Sequence, residues 1–109
     1  MAVKTLTKDH FNAEVLEAKG TVLVEFSAPW CGYCRRIAPA IEALSKGLEG
    51  NVTVGVVDID EEPELTERYG IETIPALLLF RAGSLTGEPL IAPESRGRIE
   101  AWLKENGAV

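Results

Sequence analysis

The run Thr21-Val22-Leu23-Val24-Glu25-Phe26-Ser27 limits the possible folds more than any other part of the chain. Apart from Glu25, its central positions are apolar at consecutive rather than alternating places. A strand of that kind has to be covered on both faces. It belongs in the middle of a sheet with helices packed above and below. The segments around it alternate between strand-like and helix-like patterns, which fits an α/β fold with a mixed sheet.

Val3–Leu6 reads as a short first strand. Thr7 is placed to cap a helix from Lys8 to about Ala18, with Phe11, Val15 and Leu16 on one face and Gly20 as its stop. After the Thr21–Ser27 strand a helix opens near Cys31 and runs to about Leu48, carrying Ile37, Ile41, Leu44 and Leu48 at helical spacing. Pro39 lies inside it, where it cannot donate to the Arg35 carbonyl and should bend the axis. Val52–Ile59 is a second buried strand. Pro63 suits the first turn of a short helix that Gly70 ends. Ala76–Arg81 is a strand, Ala82-Gly83-Ser84 a turn, and Pro89–Ala92 a weaker edge strand. Ser95 caps a last helix that buries Ile99, Trp102 and Leu103. The expected order, β-α-β-α-β-α-β-β-α, makes about five strands and about four helices. Its first crossovers are parallel and its last two strands form a hairpin.

The 109 residues suit one domain spanning 1–109, and 46% apolar content is enough for a real core. A net charge of −6 argues against nucleic acid or an anionic membrane as the main partner, since both call for a positive face. The N-terminal Met1–Asp9 segment lacks the unbroken apolar stretch of a secretory signal. The longest apolar run, Ile74–Phe80, is interrupted by Pro75 and too short for a membrane span. The expected location is the cytoplasm.

In that setting the only two cysteines carry special weight. Cys31-Gly32-Tyr33-Cys34 follows the central strand and opens a helix. The first helical turn has unpaired N–H groups and the positive end of the dipole, so a thiolate at Cys31 is stabilised. The i, i+3 spacing puts both sulfurs on one face, within reach of each other. Cys31 is the expected exposed nucleophile and Cys34 the buried resolving thiol in a disulfide-exchange cycle. A zinc site would need four ligands, and only His10 is added, so no metal is expected. A purely structural disulfide closing so small a loop would gain little.

Beyond the pair, the chain resembles the thioredoxin family over nearly its whole length. Val22 to Cys34 is similar to that family's strand and active-site segment, and Ile37-Ala38-Pro39 to its bent helix. Val57-Asp58-Ile59-Asp60, Tyr69-Gly70-Ile71 and Ile74-Pro75 before Ala76–Phe80 match later landmarks at matching spacings. The resemblance implies a thioredoxin fold and a dithiol–disulfide oxidoreductase without a cofactor. It implies a cis Pro75 facing the cysteines, with the Ile74 backbone pairing an extended substrate. Trp30, Gly32, Ile74 and Pro75 would then form an apolar docking surface, supported by Tyr33. The implied partners are disulfide-containing proteins and a thioredoxin reductase or other electron donor, and the implied state is a monomer.

Four departures stand out: Tyr33 replaces the family's usual proline, Ser27 an aromatic, Glu25 a buried Asp, and Ala92 a glycine. The Val24–Gly32 stretch is also similar to protein disulfide isomerase domains. Tyr33 restores a backbone N–H that can stabilise the Cys31 thiolate and favour the dithiol, making the disulfide more oxidising. Glu25, if buried, should hold a proton near neutrality and exchange it with Cys34. The alternative is an edge-strand glutamate facing water. Arg35 and Arg36 read as a solvated helix face, the alternative being that one of them helps hold the thiolate, and Asp58, Asp60, Glu61 and Glu62 as an acidic run near a helix start. The leading function is protein disulfide reduction. The alternatives are an isomerase or oxidase, and a binding module with idle cysteines.

Overall fold

The computed structural model describes residues 3–109, so Met1 and Ala2 of the N-terminal segment lie outside the described residues. Among the described residues there are five strands and four helices. The strands are β1 (Val3–Thr5), β2 (Thr21–Ser27), β3 (Val52–Asp58), β4 (Ala76–Arg81) and β5 (Ser84–Ile91). The helices are α1 (Lys8–Phe11, continued by a π-helical turn over Asn12–Leu16), α2 (Gly32–Gly47), α3 (Pro63–Arg68) and α4 (Arg96–Glu105). The sheet order is β1-β3-β2-β4-β5. β2 is therefore central, parallel to β3 and antiparallel to β4.

Side-chain alternation sends the sheet's apolar residues to two separate layers. Leu23, Val54, Leu77 and Leu79 meet Ile37, Ile41 and Leu44 of α2 and Ile99, Trp102 and Leu103 of α4. Val22, Val24, Phe26, Leu78 and Phe80 meet Phe11, Val15 and Leu65 on the other side. This is why β2 can be apolar at consecutive positions: every residue from Val22 to Phe26 is buried.

β1 and β3 each end one residue before the sequence reading, at Thr5 and Asp58, and three further differences have a local cause. The first helix stops at Leu16 rather than Ala18, because the Glu17 N–H reaches back five residues to the Asn12 carbonyl (2.8 Å) and widens the last turn. Thr7 occupies the cap position, yet its side chain bonds no helix N–H; its hydroxyl lies 2.9 Å from His10 Nδ1 instead. The edge strand begins at Ser84, not Pro89. The intervening turn is only Ala82-Gly83, both at positive φ (51° and 83°), the geometry of a tight hairpin. Gly83 is required there twice over, since a Cβ would also lie 2.1 Å from the Leu16 carbonyl oxygen.

The strand directions gather one edge of the sheet into a site. β2 and β3 run parallel and end side by side at Ser27 and Asp58. β4 starts at that same edge, with Ala76 beside Phe26, and β5 ends there, with Ile91 beside Ala76. The start of α2, the Ile74-Pro75 loop and the segment after Ile91 therefore meet at one place. No helix among the described residues is long and apolar enough to cross a membrane.

Candidate active site

Cys31 caps α2. It keeps an extended backbone (φ −82°, ψ 113°), and its Sγ accepts the Cys34 N–H at 3.2 Å. A sulfur thus occupies the place where a serine or aspartate oxygen usually satisfies a free helix N–H. Both cysteines are free thiols and both are buried, 8% and 3% exposed, so Cys31 is not the exposed thiol expected from the sequence: Ala28 packs with the pair, and Tyr33, Ile59 and Ile74 cover it.

The two sulfurs are driven apart in acidity. Burial alone would push the Cys31 thiol up. Hydrogen bonding from Cys34, the Tyr33 backbone and the Arg35 charge outweigh it and hold Cys31 below the ordinary thiol value. Cys34 is pushed up by burial first, then by its bond to Cys31 and the charge there; the Ser27 hydroxyl and the Ala28 backbone pull the other way. Arg35 stays exposed, but it is more than a solvated helix residue: its guanidinium reaches back to donate to the Pro29 carbonyl at 2.8 Å, over the helix start.

Glu25 is buried in the central strand, 4% exposed, which removes the edge-strand alternative. Its neighbours across β3 and β4 are Val56 and Leu77, so no cation stands beside it in the sheet. Desolvation by burial raises its pKa from 4.5 to about 7. By alternation it faces the same side as Leu23, the side that α2 covers. On that side a cleft of about 300 Å3 lies between α2 and the sheet, with Ser27, Cys34, Ala38 and Val56 in its walls; Glu25 does not line it, but its partner across β3, Val56, does.

The Ile74–Pro75 bond is cis, and Ile74 packs against the cysteine cluster. Among the described residues, no backbone hydrogen bond engages the Ile74 N–H or C=O, leaving a free donor and acceptor beside the thiols. Gly32 is exposed at the rim. Trp30 is 63% exposed and does not join the cysteine cluster; its Nε1–H donates to Asp60 at 2.5 Å. Tyr33 contacts the cluster with its ring while its hydroxyl donates to the Ala92 carbonyl at 3.0 Å. Sequence reasoning missed Ser27 and Ala92 as site residues. The only signal for either was that both stand where the family resemblance breaks.

A family model described as Thioredoxin matches residues 2–105. The chain belongs to the thioredoxin family. It is 45% identical to Thioredoxin of Rickettsia felis over 101 residues, covering 93% of this chain and 95% of that one. It is 41% identical to Thioredoxin of Rhodospirillum rubrum over 102 residues, 94% and 97% of the two chains. With Thioredoxin 1 of a Nostoc species the match is 42% over 82 residues, 75% and 77% of the two chains. The protein is a thiol–disulfide oxidoreductase, a protein-disulfide reductase. Thioredoxins act on disulfide substrates and are themselves reduced by a reductase.

Proposed function

We infer that Cys31 attacks and Cys34 resolves. The observation that carries this is the cap: the Cys31 sulfur takes the Cys34 N–H at the start of α2, where negative charge is favoured. The Cys31 thiolate attacks one sulfur of a substrate disulfide, forms a mixed disulfide and expels the other sulfur as a thiolate. Cys34 then gives up its proton and attacks Cys31 Sγ. The second substrate thiol leaves, and a Cys31–Cys34 disulfide remains. An electron donor, a thioredoxin reductase or its equivalent, returns two electrons and two protons.

Glu25 takes the Cys34 proton in the second step. Its pKa of about 7 suits a group that both accepts and returns a proton near neutrality. Water entering the cleft beside Cys34 carries the proton between them, and the Ser27 hydroxyl steadies the Cys34 thiolate as it forms. An extended substrate chain lies along Ile74 and Pro75, with Trp30 and Gly32 on the open side and Tyr33 supporting the other. In this reading residues 1–109 work as one domain and a monomer, in the cytoplasm, on disulfide-containing proteins.

Alkylation tests the assignment of roles. Iodoacetamide near about pH 6 is expected to label Cys31 and spare Cys34, located by peptide mass. Preferential labelling of Cys34 would reverse the roles.

A specific observation bears on the favoured direction of exchange. The Tyr33 backbone N–H is one of the groups lowering Cys31, and a proline there has no N–H. Stabilising the thiolate stabilises the dithiol and raises the potential. Tyr33→Pro is therefore expected to become more reducing by about 20–30 mV, the worth of one such bond. Equilibration with glutathione measures it. A variant no more reducing than the parent would remove this account, and with it the case for isomerase-like or oxidase-like exchange.

A further inference from the structure

Tyr33 stands between the two cysteines in sequence, yet its hydroxyl bonds neither sulfur. It crosses from the first turn of α2 to the segment after β5 and donates to the Ala92 carbonyl at 3.0 Å. The Ala92 N–H in turn donates to the Pro75 carbonyl at 2.8 Å. The three segments that meet around Cys31 are thus strung on one directed chain of hydrogen bonds: helix start, post-β5 segment, proline loop.

Ala92 is held in an unusual way. Its φ is +45°, a left-handed conformation that a side chain disfavours and that glycine adopts freely. Both of its main-chain polar groups are occupied, one by Pro75 and one by Tyr33, and these two bonds keep it there against its own preference. The tyrosine end is itself restrained. The Arg36 guanidinium carbon lies 5.3 Å from the ring centre, within cation–π range. The ring also packs on the cysteine cluster with Ile74.

We propose that Tyr33 is a positioning and specificity residue whose hydroxyl straps the Ala92 segment to α2 and so presets the groove along Ile74 and Pro75 for an extended peptide chain. The proposal rests on the reading of Cys31 as the attacking thiol. A substrate backbone pairing with Ile74 needs that edge fixed before it arrives. If Ala92 were free, the proline loop would lose one of its restraints, and binding would have to order both segments at a cost in affinity. A low-molecular-weight disulfide has no peptide backbone to lay in the groove, so the strap gives it no advantage. Tyr33 therefore favours proteins and peptides over small disulfides, separately from what its backbone N–H does for the thiolate.

Tyr33→Phe isolates the hydroxyl. It keeps the ring, the Arg36 contact and the backbone N–H. The expected result is a three- to tenfold rise in KM for an extended disulfide-linked peptide, about the worth of one hydrogen bond, with kcat held. The ratio of peptide KM to the KM for a small aromatic disulfide rises with it. Amide hydrogen exchange at Ala92 quickens, and the reduction potential stays at the parent value. Equal KM changes for both substrates, or unchanged exchange at Ala92, would overturn the strap. So would a shift in potential as large as that of Tyr33→Pro, since the hydroxyl would then be acting on the sulfurs. Any of these leaves the role of Cys31 standing, because that role is read separately, from which thiol iodoacetamide labels.

Discussion

Cys31→Ser is expected to lose protein-disulfide reduction by on the order of a thousandfold or more, the usual scale for removing a nucleophile. A serine oxygen can take the place of the sulfur as the helix cap, so the fold is expected to persist. It cannot form the mixed disulfide. Cys34→Ser should behave differently: it attacks once, then stalls with substrate bound to Cys31, because the resolving sulfur is gone. Insulin reduction driven by dithiothreitol measures the first effect, and intact mass of the trapped adduct the second. An adduct on Cys34 in the Cys31→Ser protein, together with retained turnover, would mean that the cap sulfur is not the one that attacks.

The second large effect concerns Glu25 and has a defined pH window. Its pKa is about 7 in the folded chain against 4.5 in its ordinary state. Below about pH 4.5 the group is protonated whether the chain is folded or not, and burial costs little. Between 4.5 and about 7 the unfolded chain releases this proton while the folded one keeps it. Stability is therefore lost as pH rises through that window, by about 3 kcal/mol in all, and the loss is constant above it. Glu25→Gln removes the titration. The difference in unfolding free energy between variant and parent is expected to move by about 3 kcal/mol in the variant's favour from pH 4 to pH 8. Any fixed penalty for the unpaired amide cancels in that comparison. Urea denaturation at several pH values measures it; a difference that does not change with pH would mean that the carboxyl is not buried as described. In kinetics the same variant should slow resolution by Cys34 about tenfold to a hundredfold while leaving the first attack nearly intact. Equal slowing of both steps, followed by rapid acid quench, would remove Glu25 from proton transfer.

These predictions draw unequally on sequence and structure. The central strand was legible because consecutive apolar residues admit only a position covered on both faces. The placement of the dithiol was legible because a strand end and a helix start bracket Cys31. Ala76–Arg81 matches to the residue. The edge strand β5 was only half seen, and the reason is physical. It pairs with one neighbour only, much of its surface is exposed, and its register with β4 shifts between Leu77 and Leu79. Gly87, at φ +69°, and Pro89 fall in that irregular stretch, so neither periodicity nor composition marked a strand. The π-helical turn after α1 leaves no sequence signature, since Phe11 and Val15 are buried just as a regular helix would bury them. In the site, Glu25 was legible as a charge inside an apolar run. Its neighbours were not, because Val56 and Leu77 are far away in the chain and become adjacent only through strand order. The same applies to the bond between Tyr33 and Ala92, which spans 59 positions.

The sheet order has one more consequence, for a chain still being made. The central strand is flanked by β3 and β4, and both follow it in sequence. A ribosome that has released only the first 70 residues has therefore delivered both cysteines but neither Pro75 nor Ala92, and β2 still lacks its partner on the β4 side. The thiols and the groups from Ser27 to Arg35 that set them apart in acidity are therefore made well before the edge on which a substrate is to lie. What arrives with the C-terminal third of the chain is the second wall of the site: the other side of β2's sheet, the Ile74–Pro75 loop and the Ala92 segment.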